Sequence, residues 1–191
     1  MKRGLGVFLT RSGGGMEYFG GTITSLSALE HEVFHMYFGC SVVAKTYRDS
    51  WWDEAINQWY EYSGLGLATP VASSYSSNIV SGRTPVSVGF DTRAYTDGMK
   101  IIESIASEMG GRESFIAFLK YVYTEYTFSP FNTFELVQYI RDYSGIDFEE
   151  QIITWLYKGV RTYYSAQGSN VTDYHKVDMT PPEWVIKKYR K

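Results

Sequence analysis

Two short stretches decide the fold of this chain: His31-Glu32-Val33-Phe34-His35 and Trp51-Trp52-Asp53-Glu54-Ala55, in which Glu54 is separated from the second histidine by eighteen residues. In a helix, residues i and i+4 lie one turn apart on the same face. The two imidazoles can therefore bind one Zn²⁺ at ~2.0–2.1 Å. Glu32 would stand beside such a metal, where it can take a proton from a bound water. A pair of core or surface histidines is the alternative interpretation.

A catalytic zinc needs a third protein ligand and an open position. The spacing between His35 and Glu54 lets a second, roughly antiparallel helix return a carboxylate to the metal. Taken alone, Glu54 could also be an exposed residue at a helix start, where the helix dipole favours an acid. Taken with the histidine pair, the spacing predicts one Zn²⁺ per chain, bound by His31, His35 and Glu54.

Length and composition limit the classes of protein that the chain can represent. Its 191 residues suit one domain with a sizeable core, and its formal charge of −3 argues against a nucleic-acid or anionic-membrane partner. No apolar run approaches the ~18 residues of a membrane-spanning helix. The single cysteine, Cys40, excludes an internal disulfide.

Hydrophobic periodicity and capping signals predict a small strand region followed by a run of helices, an α+β class that is mostly helical. The strand covers 4–10, and Leu65 to Phe90 reads as a long loop. The start of the chain at a strand and a glycine cluster suggests truncation on the N-terminal side. We expect a catalytic domain over 1–159 and a polar C-terminal extension over 160–191. The predicted helices cover 27–39, 50–64, 92–109, 112–123, 133–143 and 147–158, with capping boxes at Ser27/Glu30 and Asp147/Glu150.

The zinc pattern, H-E-x-x-H followed by Glu after eighteen residues, resembles that of the gluzincin metallopeptidases and, within them, the M1 aminopeptidases. Gly14-Gly15-Met16-Glu17-Tyr18 is similar to that family's exopeptidase motif, G-x-M-E-N, and Tyr95-Thr96-Asp97-Gly98 is similar to its Y-x-K-G motif. All three motifs occur in the family's order. The resemblance covers about 4–159 and implies a thermolysin-like zinc metallopeptidase catalytic domain.

Several positions depart from the family pattern and place the chain in a divergent branch. Tyr18 replaces an asparagine, Asp97 replaces a lysine, and Ala55 stands where the family usually has glycine. The gaps between the three motifs are also shorter. The family's flanking domains have no counterpart in these residues, so further domains of a longer polypeptide are among the expected partners.

The resemblance also implies roles for residues outside the zinc triad. Glu32 would act as the catalytic base, and the Tyr95 hydroxyl would stabilise the oxyanion, although 16 other tyrosines compete for that role. Glu17 would bind the free α-ammonium of a peptide substrate, while Gly14 and Gly15 would let the substrate backbone lie along the strand. An ordinary solvent-facing strand glutamate is the alternative for Glu17.

These observations favour a zinc aminopeptidase that removes N-terminal residues from peptides. A zinc endopeptidase of the same fold class, in which Glu17 is incidental, is the second hypothesis. A non-catalytic binding module that keeps the fold is the third. The presence of Glu32 argues against the third, because zinc binding alone does not require that residue.

Overall fold

The structure, a computed structural model, describes residues 4–11, 13–46, 48–77, 79 and 92–161. It opens with a three-stranded sheet of β1 (Gly6–Leu9), β2 (Gly15–Tyr18) and β3 (Gly21–Thr24). The strand order is β1-β3-β2, with β1 parallel and β2 antiparallel to β3. The strand predicted over 4–10 is confirmed as β1, with shorter bounds.

The sheet directs a polar face towards the helices. Thr22 and Thr24 are buried on β3, whereas Ile23 between them is 43% exposed. The antiparallel register pairs Glu17 with Thr22 and Gly15 with Thr24. Because side chains alternate along a strand, Glu17 and Gly15 lie on the inner face.

Helices make up most of the remaining described chain, which confirms the mostly helical α+β class. All of the long ones begin and end close to their predicted positions. They are α1 (Leu29–Phe34), α2 (Trp51–Gly64), α3 (Thr92–Glu108), α4 (Arg112–Tyr126), α5 (Thr133–Ser144) and α6 (Glu149–Tyr157).

The helix over 27–39 is much shorter than the sequence predicts. A 3₁₀ turn, Leu26–Ala28, precedes α1, and tight turns follow Phe34. The prediction of a capping box at Ser27 and Glu30 is wrong. No side-chain hydrogen bond caps the start of this segment, and the Ser27 hydroxyl lies 2.9 Å from the Ser25 hydroxyl instead.

The capping box at Asp147 and Glu150 is also wrong, because α6 begins two residues later and Asp147 accepts a hydrogen bond from the Glu149 amide. A true capping box opens α5 instead. There Asn132 and Glu135 each accept a hydrogen bond from the other's backbone amide, both at 2.8 Å.

Asp49 connects the start of α2 to the start of α5. It is fully buried and accepts hydrogen bonds from the Thr133 amide at 2.8 Å, the Thr133 hydroxyl at 3.0 Å and the Thr46 hydroxyl at 2.7 Å. Burial raises the pKa of Asp49 to about 6, against the opposing effect of these donors. This network of hydrogen bonds holds the loop before α2 in place and so positions Trp51 and the rest of α2 in the core.

The core lies between α2 and the later helices, with α2 and α3 in the most extensive contact. Trp51, Trp52 and Trp59 of α2 are completely buried. No described helix has the length and apolar character needed to cross a bilayer. Of the loop predicted over 65–90, positions 78 and 80–90 lie outside the described residues. The predicted C-terminal extension lies outside them as well from position 162 onwards.

Gly98 sets the distance between α2 and α3. A Cβ added at Gly98 would lie 2.7 Å from the Cβ of Ala55 and 3.7 Å from the Trp51 ring. Real Cβ atoms do not approach so closely, so any larger residue at 98 forces the helices apart. The alanine at 55 and the glycine at 98 are therefore a matched pair.

We expect Gly98→Ala to destabilise the fold by about 1–3 kcal/mol, as overpacked cores generally do. Alanine is intrinsically better than glycine in a helix by ~1 kcal/mol, so any loss must come from the collision. Urea unfolding measures the change. Ser107→Ala, on the exposed side of α3, should shift stability by less than ~0.5 kcal/mol.

Ala55→Gly combined with Gly98→Ala should recover most of the lost stability, since only one methyl group then occupies the contact. A Gly98→Ala variant as stable as the unmodified chain would contradict the assigned contact.

Candidate metal centre

Three side chains from α1 and α2 converge on one point. His31 Nε2 and His35 Nε2 are 3.1 Å apart, and Glu54 Oε2 lies 3.3 Å from each of them. A tetrahedral ion with bonds of ~2.0–2.1 Å separates its ligands by ~3.3–3.4 Å. The triangle of donor atoms therefore has the dimensions of one face of a zinc coordination sphere, and the residues fit such an ion.

The helices explain the convergence. His31 and His35 lie one turn apart on α1 and are 6% and 1% exposed, respectively. His35 caps the helix but keeps helical dihedral angles, φ −56° and ψ −21°, so the i, i+4 geometry survives the short length of α1. Glu54 lies in the first turn of α2, where the buried Trp51 and Trp52 anchor the backbone.

Charge in this cluster favours a bound cation. Burial opposes ionisation of Glu54, but hydrogen bonds with both histidines and Tyr95 outweigh it and lower its pKa to about 2. Burial likewise opposes a charge on His35, yet Asp53 and Glu54 raise its pKa to about 11. In the metal-free state the carboxylates thus retain a proton at His35, and protons and metal compete for the site.

Glu32 lies against β2 and not among the three donors. A Cβ added at Gly15 would come within 2.5 Å of Glu32 Cγ and 2.7 Å of its Oε1, so only glycine leaves room for this side chain. Burial raises the pKa of Glu32, while His35 and His31 oppose the shift. Its Oε2 atom is buried without a hydrogen-bond partner. A buried, unpartnered carboxylate oxygen at this place is available to a proton on a nearby ligand or water.

Glu17 also faces the cluster. Its carboxylate forms a second group with Glu32 and His35, in which the donor atoms all lie within 4.8 Å of one another. The carboxylates of Glu17 and Glu32 therefore make the site acidic on its β2 side. Gly14, just before this strand, has a φ of +83°, which favours glycine, and a Cβ there would meet nothing within 4 Å.

Tyr95 reaches the cluster from the first turn of α3. Its ring stacks on His31, with centroids 5.8 Å apart and an interplanar angle of 19°, and its hydroxyl is hydrogen-bonded to Glu54. Burial and Glu54 raise the pKa of Tyr95, so the hydroxyl stays protonated and can donate. The structure thus brings together all of the predicted metal-ligating and catalytic residues, together with Glu17 and the adjoining glycines.

Sequence reasoning missed Asp53, which orients His35. Asp53 Oδ1 lies 2.9 Å from His35 Nδ1. The side-chain nitrogen of Asn57 also lies 2.9 Å from His35 Nδ1. Its two protons, however, are donated to the backbone carbonyls of Asp53 at 2.7 Å and Phe38 at 2.8 Å, so none is left for His35. The Nδ1–H of His35 therefore donates to Asp53, so Nε2 is the nitrogen that can release its proton and offer a lone pair to a metal.

Gly39 and Glu61 complete the surroundings of the histidines. A Cβ at Gly39, whose φ is +128°, would lie 2.8 Å from Asp53 Oδ1 and 2.9 Å from His35 Nδ1. Glu61 Oε2 is 3.8 Å from His31 Nδ1, too far for a hydrogen bond, and that buried nitrogen has no partner. Metal-bound histidines commonly donate a hydrogen bond to a carboxylate. Applied to the sequence, this rule could have pointed to the acidic residues of α2 as partners of the histidines.

We expect Asp53→Ala to weaken Zn²⁺ binding about 10- to 100-fold, the usual effect of losing an outer-shell carboxylate. Asp53→Asn should have a smaller effect because its oxygen can still accept from Nδ1. Competition with a fluorescent zinc chelator measures affinity, and circular dichroism checks the fold. Asp142→Asn, on the exposed side of α5, is the matched control. Unchanged zinc affinity in Asp53→Ala would show that the contact has no role in ligation.

Comparison with known proteins places this geometry on a recognised fold. No protein-family model matches the chain, and no curated protein matches it. Among solved structures, the chain is similar to the crystal structure of a two-domain M1 zinc metallopeptidase mutant bound to L-tryptophan, with a TM-score of 0.59 and 19% sequence identity. The match covers 80% of this chain and spans 39% of that one. At this identity the likeness shows a shared fold.

Proposed function

We propose that the chain is a zinc-dependent peptidase of the thermolysin-like, M1 aminopeptidase type, a divergent member of that group. The convergence of His31, His35 and Glu54 at 3.1–3.3 Å from one another carries the proposal. The position of Glu32, whose carboxylate lies within 4.8 Å of a ring nitrogen of His35, and the fold shared with an M1 zinc metallopeptidase support it.

The proposed chemistry is hydrolysis of a peptide bond. Zinc held by the three donors would polarise the scissile carbonyl and lower the pKa of a bound water towards ~7. Glu32, whose pKa burial raises, would accept a proton from the attacking water and pass it to the leaving amine. Tyr95, kept protonated, would donate a hydrogen bond to the oxyanion.

Aminopeptidase specificity is the finer part of the proposal, and it depends on Glu17. A carboxylate on β2, within 4.8 Å of donor atoms of Glu32 and His35, can bind an α-ammonium beside the reacting carbonyl as a charge-assisted pair. That contact would limit cleavage to the first residue of a peptide. Gly14, with open space around it, would let the substrate backbone approach the strand.

Glu32→Gln should bind about one zinc per chain and lose nearly all hydrolysis, since the amide has nearly the same shape but cannot accept the proton. Metal analysis and assays with aminoacyl-amide substrates measure the two properties separately. Glu30→Gln, an exposed glutamate on the same helix, should leave both unchanged. Loss of zinc in Glu32→Gln would mean that Glu32 is a ligand instead of a base.

Glu17→Ala should reduce cleavage of substrates with a free amine by orders of magnitude, because losing one partner of a shielded charge pair costs several kcal/mol. Ground state and transition state would share the pair, so KM and kcat should both change.

Substrates with an acetylated N-terminus provide the control for this variant. They should be cleaved poorly by the unmodified protein and should be insensitive to Glu17→Ala. Equal cleavage of blocked and free peptides would overturn the aminopeptidase proposal and favour a zinc endopeptidase with the same metal centre.

A further inference from the structure

The turn after α4 has a bulky side chain where the backbone favours glycine. The Ser129 amide donates to the Tyr126 carbonyl at 2.9 Å and closes a four-residue turn. Thr127 has a φ of −53° and a ψ of 127°, and Phe128 has a φ of +61°, which is the pattern of a type II turn. The third position of such a turn favours glycine or asparagine. A phenylalanine there strains the backbone and persists only where its surroundings hold it.

Backbone pairing and burial both hold Phe128 in this conformation. Its amide donates to the Ser41 carbonyl at 2.8 Å, and shortly after it the Phe131 carbonyl accepts from the Lys45 amide at 2.9 Å. Phe128 is only 8% exposed, yet it lies outside the contiguous hydrophobic core that the described residues form. Its ring therefore has a packing partner other than that core.

That partner is the turn between β2 and β3. The ring centroids of Phe128 and Phe19 are 6.1 Å apart, with an interplanar angle of 46°, within the range in which aromatic pairs attract each other. Phe19 and Gly20 form a tight connection between the strands, because Tyr18 pairs with Gly21. The aromatic contact therefore ties the β2–β3 turn to the segment that follows α4.

The sheet depends on such a contact because its inner face is polar. No residue of β1, β2 or β3 belongs to the hydrophobic core of the described part of the chain. The buried hydroxyls of Thr22 and Thr24 donate to the carbonyls of Met16 and Ser25, at 3.1 and 3.0 Å. These bonds stay within the strand region and do not connect the sheet to the helices.

Glu17 lies between two contacts that β2 and its turn make with the helical part of the chain. Before it, Gly15 packs so closely on α1 that an added Cβ would lie 2.5 Å from Glu32 Cγ. Two residues after it, Phe19 contacts Phe128. Because neighbouring residues of a chain are a fixed distance apart, holding positions 15 and 19 limits the movement of the residue between them.

We propose that Phe128 is a positioning residue, which supports Phe19 and thereby holds Glu17 at the metal centre. The strained turn directs the ring of Phe128 towards Phe19, and the tight β2–β3 turn carries that support to Glu17. This inference rests on the proposed role of Glu17 in binding the α-ammonium of a substrate. Loss of the support would move β2 but not the candidate zinc ligands, which lie on α1 and α2.

Two variants remove the aromatic contact without opening the core. Phe128→Gly deletes the ring and gives the turn a residue that its backbone favours. Phe19→Ala deletes the partner ring, which is 66% exposed. Each variant should lower the preference for free-amine over N-acetylated substrates about 100-fold, which is the effect that a displacement of about 1 Å can have. Zinc content should not change.

Matched variants separate positioning from a structural role. Phe19→Tyr keeps the ring and should keep the preference, as should Phe8→Ala, which removes a ring that is 69% exposed on β1 of the same sheet. In a Glu17→Ala background, Phe128→Gly should cause no further loss of preference, because both changes act on one contact. A merely structural role for Phe128 would add to the effect of Glu17→Ala and lower the zinc content, and that result would overturn the proposal.

Amide hydrogen exchange of the whole chain tests the support without any catalysis. Phe128→Gly and Phe19→Ala should speed exchange in β2 and β3 about 2- to 10-fold, as expected for the loss of one aromatic pair. Phe8→Ala should not. Unchanged exchange in both variants, or an unchanged preference for free amines, would overturn this inference alone. Equal cleavage of free and blocked peptides by the unmodified protein would overturn the role of Glu17 and this inference with it.

Discussion

The approach of α1 to the first turn of α2 is the contact on which the rest of the candidate site depends. At this contact the ring of His35 has Asp53 on its Nδ1 side, at 2.9 Å, and Glu54 on its Nε2 side, at 3.3 Å. Asp53 holds a proton on Nδ1, so Nε2 is the nitrogen that can lose its proton and bind a metal. The same turn of helix therefore supplies a candidate metal ligand, Glu54, and the carboxylate that orients His35.

Around this contact the backbone comes unusually close to neighbouring side chains at three places, and glycine occupies each of them. Gly39 borders Asp53 and His35, Gly15 borders Glu32, and Gly98 borders Ala55, each with a distance below 3.0 Å to an added Cβ. Gly98 also leaves room for Ala55, the residue after Glu54, because the methyl group of Ala55 packs against α3 where Gly98 has no side chain.

Carboxylate groups are concentrated around the site, and a protonated His35 offsets only part of their charge when no metal is bound. Glu17, Glu32, Asp53 and Glu54 all lie close to His35, and the lowered pKa of Glu54 keeps that carboxylate ionised. Burying several like charges is costly unless a cation is present. A divalent metal and the ammonium group of a substrate are both suitable cations, and the proposed function uses one of each.

The sequence by itself determined the local parts of this protein: the histidine pair one helical turn apart, the positions of the long helices, and the mostly helical class with a small strand region. These features depend on periodicity and spacing within a few residues, which a linear sequence displays. Only the tertiary structure decided the short length of α1, the contact of Asp53 with His35 and the reason for glycine at positions 15 and 98. Each of these arises where segments distant in sequence meet, and the energy of such a contact depends on a partner that local patterns do not contain.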